Sequence, residues 1–120
     1  MKTKALNMFI RIAGLVLLVL GVLFWLEIAE NLVLVHIVLG SLVALALLGL
    51  VYKAYKLGIN RLLVIVSLLW ALALPAFGLI QKNLLNNSSH WIISVLHLLC
   101  ALGAIGLAEI LGSKISKLKN

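Results

Sequence analysis

Two histidines, His36 and His97, are the residues of this 120-residue chain whose type and placement suit metal binding or proton transfer. Each stands a few residues inside a long apolar segment. An ionisable side chain in such a segment usually faces the interior of a helix bundle and has a function there. Neutral imidazole is a common metal ligand and a proton carrier. If the fold brings the two rings together, they could bind one metal centre from opposite sides.

Composition indicates which elements must position this pair. Hydrophobic residues make up 65% of the chain, charged residues 11%, and the mean hydropathy is +1.27. A helix that crosses a bilayer needs about 20 mostly apolar residues. The sequence therefore predicts an all-α membrane protein, a single four-transmembrane-helix domain over residues 1–120. The spans are expected at about 9–28, 32–52, 61–81 and 90–111, the first being too long for a removable signal peptide.

The basic residues predict the orientation of these spans. Only Lys82 lies in a connection between the first and second or the third and fourth spans. By the positive-inside rule we expect an up-down bundle with both termini cytoplasmic, in a bacterial or archaeal cytoplasmic membrane. The net charge of +7 then meets anionic membrane lipid rather than nucleic acid. The other basic residues flank the cytoplasmic ends of the spans: Lys2, Lys4, Arg11, Lys53, Lys56, Arg61, Lys114, Lys117 and Lys119.

The topology places the two histidines at similar depth. Spans two and four run in the same direction, from outside to inside. At 1.5 Å per residue, His36 lies about 6 Å inside its span and His97 about 10 Å inside its own. The chain is organised as two hairpins in tandem, each with a histidine near the start of its second helix. A pseudo-two-fold axis along the membrane normal would bring the two imidazoles face to face.

Two facing imidazoles suit the axial ligation of a haem iron, with the macrocycle edge-on between helices. The haem propionates would then point to the outer surface, where Lys82, Ser89 and His90 are candidate contacts. Filling both axial positions favours electron transfer over oxygen activation, and a quinone could occupy the same cleft. Small residues on the histidine-bearing helix faces leave room for such a cofactor, or else for close helix contact: Gly40, Ala44, Ala101 and Ala104.

Several other polar residues have expected roles. Ser41 or Ser94 could bond the second ring nitrogen of a ligating histidine. Asn31 is expected to cap the second span, and Glu109 to pair with Lys114 or Arg61. A zinc site is disfavoured because two histidines without a nearby third ligand do not complete a tetrahedron. Cys100 stands outside any Cys-x-x-Cys-His motif, which excludes covalent haem attachment.

The segments VHIVLGSLV, residues 35–43, and VLHLLCAL, residues 95–102, carry a family resemblance. They resemble the histidine-bearing second and fourth helices of one four-helix half of haem A synthases, and more loosely are similar to four-helix membrane cytochromes b. The resemblance implies haem ligation by His36 and His97. It does not extend to haem hydroxylation. The synthases have long outer loops and an acidic residue one turn before the histidine, where this chain has Leu32 or Val33.

The sequence thus predicts a membrane-embedded b-type cytochrome that binds one haem b and transfers electrons near the outer face. It would act as an oxidoreductase on quinol or superoxide, or as a small subunit of a respiratory complex, with other membrane subunits or a second copy as partners. A haem-free structural or assembly subunit is one alternative. A small four-helix transporter is another, although its carboxylate should lie in the middle of the first span and Glu27 lies at the end.

Overall fold

The computed structural model describes residues 2–80 and 90–119, and over these ranges the chain is helical without strands. A single 3-10 turn, Glu30–Leu32, precedes the second long helix. Each long helix has the length and apolar composition needed to cross a membrane. The four are α1 (Thr3–Trp25), α2 (Val33–Lys56), α3 (Arg61–Ile80) and α4 (His90–Lys119).

Contacts between the helices establish an up-down arrangement. The start of α1 meets the end of α2, where Lys53 Nζ donates to Thr3 Oγ1 at 3.2 Å. The indole Nε1 of Trp70 in α3 donates to the Cys100 carbonyl oxygen in α4 at 2.7 Å. Each helix contacts its two neighbours, and α2 also meets α4 across the bundle, whereas no contact joins α1 to α3 within the described ranges. The histidine-bearing helices thus form the short diagonal.

The helices extend beyond the predicted spans at one end of the bundle. α1 begins at Thr3, and α4 continues to Lys119. Backbone hydrogen bonding does not stop where the apolar residues stop, so helices continue into the basic segments. At the other end α1 finishes at Trp25, earlier than predicted, because Glu27 and Ala29 adopt left-handed backbone conformations with φ of 61° and 60°.

The two connections next to α2 differ in how they are fixed. After α2, Gly58 has φ of 72°, and the Ile59 N–H donates to the Ala54 carbonyl at 3.0 Å, a Schellman ending. Asn60 Oδ1 then accepts from the backbone N–H groups of the first turn of α3. The expected Asn31 cap is wrong: α2 starts without a side-chain cap, since the 3-10 turn supplies the entry instead.

Aliphatic packing is concentrated in one half of the bundle, which we call the basic half. Leu50, Leu111 and Ile115 are completely buried there. Every member of the described hydrophobic core cluster belongs to this half. Most of the described lysines cap its end, so that the core lies below a cationic surface. The basic half comprises residues 3–14, 43–56, 61–71 and 104–119.

The other half, which we call the histidine half, is packed differently. Of its described residues only Leu20 and Ile93 are buried, and neither belongs to the core cluster. Its exterior is apolar, and Trp25 and Trp91 stand exposed near its end, as expected at a membrane interface. The histidine half comprises residues 15–25, 33–42, 72–80 and 90–103.

Candidate functional site

The two imidazoles of His36 and His97 are neighbours in the histidine half. Their ring centroids lie 6.4 Å apart, with the ring planes inclined by 51°. The Nδ1 atom of each ring is buried without a hydrogen-bond partner in the described structure. The pair is therefore brought together by the packing of α2 and α4 and not by a bond between the rings.

A phenylalanine from each of the other two helices contacts one imidazole. The Phe24 ring of α1 meets the His36 ring edge-on, with centroids 5.3 Å apart and planes inclined by 68°. The Phe77 ring of α3 stacks on the His97 ring at 5.6 Å, with planes inclined by 5°. Aromatic contacts of these geometries are favourable, and they fix the direction in which each imidazole points.

In each hairpin a glycine of the first helix lies beside the imidazole of the second. A Cβ atom built on Gly21 of α1 would lie 4.0 Å from His36 Cε1. A Cβ atom built on Gly78 of α3 would lie 3.2 Å from His97 Cε1 and 3.7 Å from its Nε2. Each hairpin therefore repeats the same arrangement, in which a phenylalanine and a glycine of its first helix face the histidine of its second.

The spacing of the rings can be compared with that of two imidazoles on one metal ion. A metal–imidazole bond is about 2.0 Å long and the ligating nitrogen lies about 1.1 Å from the ring centre, so collinear ligands on one ion have centroids about 6.2 Å apart. The observed separation is 6.4 Å. No group of three or more His, Cys, Asp or Glu side chains in the described structure could hold a metal ion. The centroid separation is thus compatible with two imidazoles on one ion whose other ligands do not come from these side chains, as in haem.

The small residues predicted to line a cofactor fall into two sets. Gly40, one turn from His36, has open space beside it, and Ala101, one turn from His97, is half-buried. Ala44 and Ala104, two turns from the histidines, are 6% and 2% exposed and belong to the packed basic half. Packing is therefore looser around Gly40 and Ala101 than around Ala44 and Ala104, which lie where the bundle is closed.

The hydrogen-bonding environment of the rings differs from the expectation. Ser41 Oγ donates to the Ile37 carbonyl of its own helix at 2.9 Å, a bond that serine commonly makes in helices. Neither Ser41 nor Ser94 satisfies the Nδ1 atoms. The other buried polar atoms without a partner among the described side chains, Asn7 Oδ1 and Ser67 Oγ, lie in the basic half. The two Nδ1 atoms are thus the buried side-chain polar atoms of the histidine half that have no partner among the described residues.

One predicted ion pair forms with a different partner. Glu109 was expected to pair with Lys114 or Arg61, but it accepts two hydrogen bonds from Arg11, from Nε to Oε1 and from Nη2 to Oε2 at 2.8 Å. The antiparallel packing of α1 against α4 places these side chains at one level. Two parallel bonds of this fork-to-fork kind hold the pair in one geometry.

The site also contains residues that sequence reasoning missed, namely Phe24, Phe77, Gly21 and Gly78. A signal was present, because each hairpin has one phenylalanine near the end of its first helix, Phe24 in α1 and Phe77 in α3. The candidate propionate contacts Lys82 and Ser89, and the side chain of His90, lie outside the described residues.

The sequence matches no protein-family model, and neither curated proteins nor solved structures show a significant similarity to it. Interpretation of the site thus depends on its own geometry.

Proposed function

We propose that this protein is an integral membrane cytochrome of the b type that holds one haem b between α2 and α4, with His36 and His97 as axial ligands. The observation that carries the proposal is the 6.4 Å separation of the two imidazole centroids. This distance is too long for a hydrogen bond between the rings, and it is the distance that two imidazoles on one iron would have. The resemblance of residues 35–43 and 95–102 to the histidine helices of haem A synthases supports the same assignment.

The residues around the pair suit a low-spin electron carrier. Both axial positions would be occupied by imidazoles, which leaves none for oxygen. Phe24 and Phe77 hold the rings in place and surround them with apolar surface that excludes water. A bound haem supplies reversible one-electron transfer between the ferric and ferrous states. The protein's part is to keep the ligands fixed, so that little rearrangement accompanies the change in charge.

The position of the pair determines where electrons would be exchanged. His36 lies in the first turn of α2, while Phe77 and Gly78 lie in the last turn of α3. The site is therefore close to one end of the bundle, opposite the end that carries most of the described basic residues. With those residues cytoplasmic, electrons are exchanged near the outer membrane surface. The donor or acceptor is quinol, superoxide or another subunit of a respiratory complex.

The test is a dithionite-reduced minus oxidised spectrum of the detergent-purified chain, with haem quantified against protein. We expect sharp low-spin b-type bands at about one haem per chain, the stoichiometry of one iron between one histidine pair. His36→Ala and His97→Ala should each abolish haem retention, and His90→Ala, the matched histidine control, should not.

A colourless chain that also fails to take up added haem would overturn the proposal. The histidines would then pack or carry protons, and a haem-free structural subunit would become the leading function. Equal haem content in the three histidine variants would contradict the ligand assignment even if the chain were pigmented.

A further inference from the structure

At the opposite end from the histidines, the bundle carries a cavity of about 250 Å³ that is open at the surface and lined by Ile59, Asn60, Lys114, Lys117 and Leu118. It lies between the α2–α3 turn and the last turns of α4. We propose that this cavity binds the phosphate group of one anionic phospholipid. The inference does not depend on haem, because no residue of the histidine pair or its surroundings takes part.

The wall formed by the α2–α3 turn is rigid. Gly58 donates to the Tyr55 carbonyl at 3.1 Å and Ile59 to the Ala54 carbonyl at 3.0 Å. Asn60 Oδ1 accepts from Leu62 N at 2.9 Å. The Ile59 side chain packs against the hydrophobic core. This side of the cavity therefore exists before a ligand arrives, and binding does not have to order it.

The opposite wall carries two lysines that have no acidic side chain as a partner. Lys114 and Lys117 are three residues apart on α4 and so lie on the same helix face. The chain has three acidic side chains. Glu27 and Glu30 are near the histidine end of the bundle, and Glu109 is paired with Arg11. No side-chain carboxylate is thus available to these two lysines, and an external anion would provide the missing negative charge.

The remaining lining favours a lipid as the source of that anion. Leu118 is 59% exposed beside the lysines, and Ile59 presents further aliphatic surface to the cavity. A lysine pair above apolar side chains at the end of a transmembrane bundle matches a phospholipid, which has a charged phosphate joined to acyl chains. Basic pockets at this level commonly bind anionic lipid headgroups. Inorganic phosphate would make no use of the apolar wall.

The experiment titrates the full-length chain in detergent with phosphatidylglycerol or phosphatidylcholine and measures bound lipid by native mass spectrometry. We expect wild type to bind the first phosphatidylglycerol at least about tenfold more tightly than phosphatidylcholine, since each lysine near a membrane surface contributes to anion binding. Lys114→Gln combined with Lys117→Gln should remove this preference. The same two positions changed to arginine should keep it, which separates loss of charge from loss of fold.

The matched control is Lys2→Gln combined with Lys4→Gln, which removes two exposed charges at the same end of the bundle but outside the cavity. This control should change the preference by less than about twofold. Equal losses in the control and the cavity variant would overturn the proposal, because general surface attraction would then explain binding. Displacement of the lipid by inorganic phosphate at millimolar concentration would also overturn it, since the site would then take free phosphate.

Discussion

The basic half of the bundle buries aliphatic side chains completely, whereas the histidine half buries only Leu20 and Ile93 among its described residues. In the basic half, Leu50 of α2 and Leu111 of α4 are 0% exposed and belong to one core cluster. In the histidine half the same two helices present His36 and His97 with their centroids 6.4 Å apart. The same pair of helices thus packs completely buried aliphatic side chains at one end and two half-buried imidazoles at the other.

Helix packing is therefore determined mainly in the basic half, and the candidate ligands lie in the histidine half. Tight packing in the basic half fixes how α2 and α4 cross, and that crossing sets the spacing of the imidazoles in the histidine half. A cofactor site that had to assemble its own packing would be less precise than one placed on rigid helices. We therefore expect substitutions in the basic half to change stability and substitutions in the histidine half to change ligand binding.

The largest effect is expected from truncating the core of the basic half. Leu111→Ala should lower the free energy of unfolding by about 2 to 5 kcal/mol, because a fully buried leucine leaves a cavity that the helices cannot fill. Denaturant unfolding in detergent, followed by circular dichroism, measures the loss. Leu34→Ala is the control in the histidine half, where this leucine is 70% exposed. Similar losses at the two positions would show that the halves do not differ in packing.

A smaller effect is expected from haem itself. At a free concentration of 100 times its dissociation constant, haem should stabilise the protein by about 2.7 kcal/mol through mass action. Amide hydrogen exchange should slow chiefly in residues 33–40 and 91–100, because these segments carry the ligands and Ile93 is the one buried residue in them. His97→Ala should show neither change. Uniform protection of both halves would mean that haem acts on the whole bundle and would remove the distinction.

The Arg11–Glu109 pair is expected to contribute to the stability of the basic half. Both side chains are partly exposed at the bundle surface, 55% and 41%, at a level where the helices are apolar. Arg11→Gln or Glu109→Gln alone leaves one charge without its partner and should destabilise the protein. Changing both to glutamine should recover part of the loss in a double-mutant cycle. Additive losses would show that the two groups do not act as a pair.

The identity of this pair also shows how far the sequence could be taken. The four apolar helices and the turn at Gly58 and Asn60 were predictable, because they depend on local composition and on turn chemistry. The partner of Glu109 was not predictable from neighbours in sequence, since Arg11 reaches it only through the antiparallel packing of α1 on α4. The Asn31 cap failed for a related reason: a 3-10 turn, fixed by the left-handed Ala29, takes the place of the expected first helical turn.

The depth of the two histidines was predictable from the sequence, whereas the residues around them were not. Topology alone places His36 and His97 at one depth, and this needs only the direction of each span. Phe24 and Phe77 were not predicted, because their contacts depend on which face of α1 and of α3 turns toward the imidazoles. Ala44, predicted to line the cleft, is 6% exposed and packs in the basic half, a position that spacing along a helix face does not reveal.

The smallest effect is expected from a single methyl group, and it compares the two hairpins directly. Gly78→Ala would place a Cβ atom 3.2 Å from His97 Cε1, closer than ordinary van der Waals contact, whereas Gly21→Ala would place one 4.0 Å from His36 Cε1. The first variant should weaken haem binding by about 1 kcal/mol, roughly fivefold, because the imidazole must shift. The second should leave binding unchanged. Haem titration of the two variants, with the width of the reduced band as a second readout, measures the difference.

Gly21→Ala is a matched control because it makes the same change at the corresponding place in the other hairpin, and both helices gain equally from replacing glycine by alanine. A difference between the two variants therefore reports the space around the ligands and not helix stability. If Gly78→Ala bound haem as tightly as wild type, His97 could move within its pocket, and the stacking on Phe77 would not hold it. The spacing of the pair, on which the haem proposal depends, would then be set by the crossing of α2 and α4 without help from Phe77.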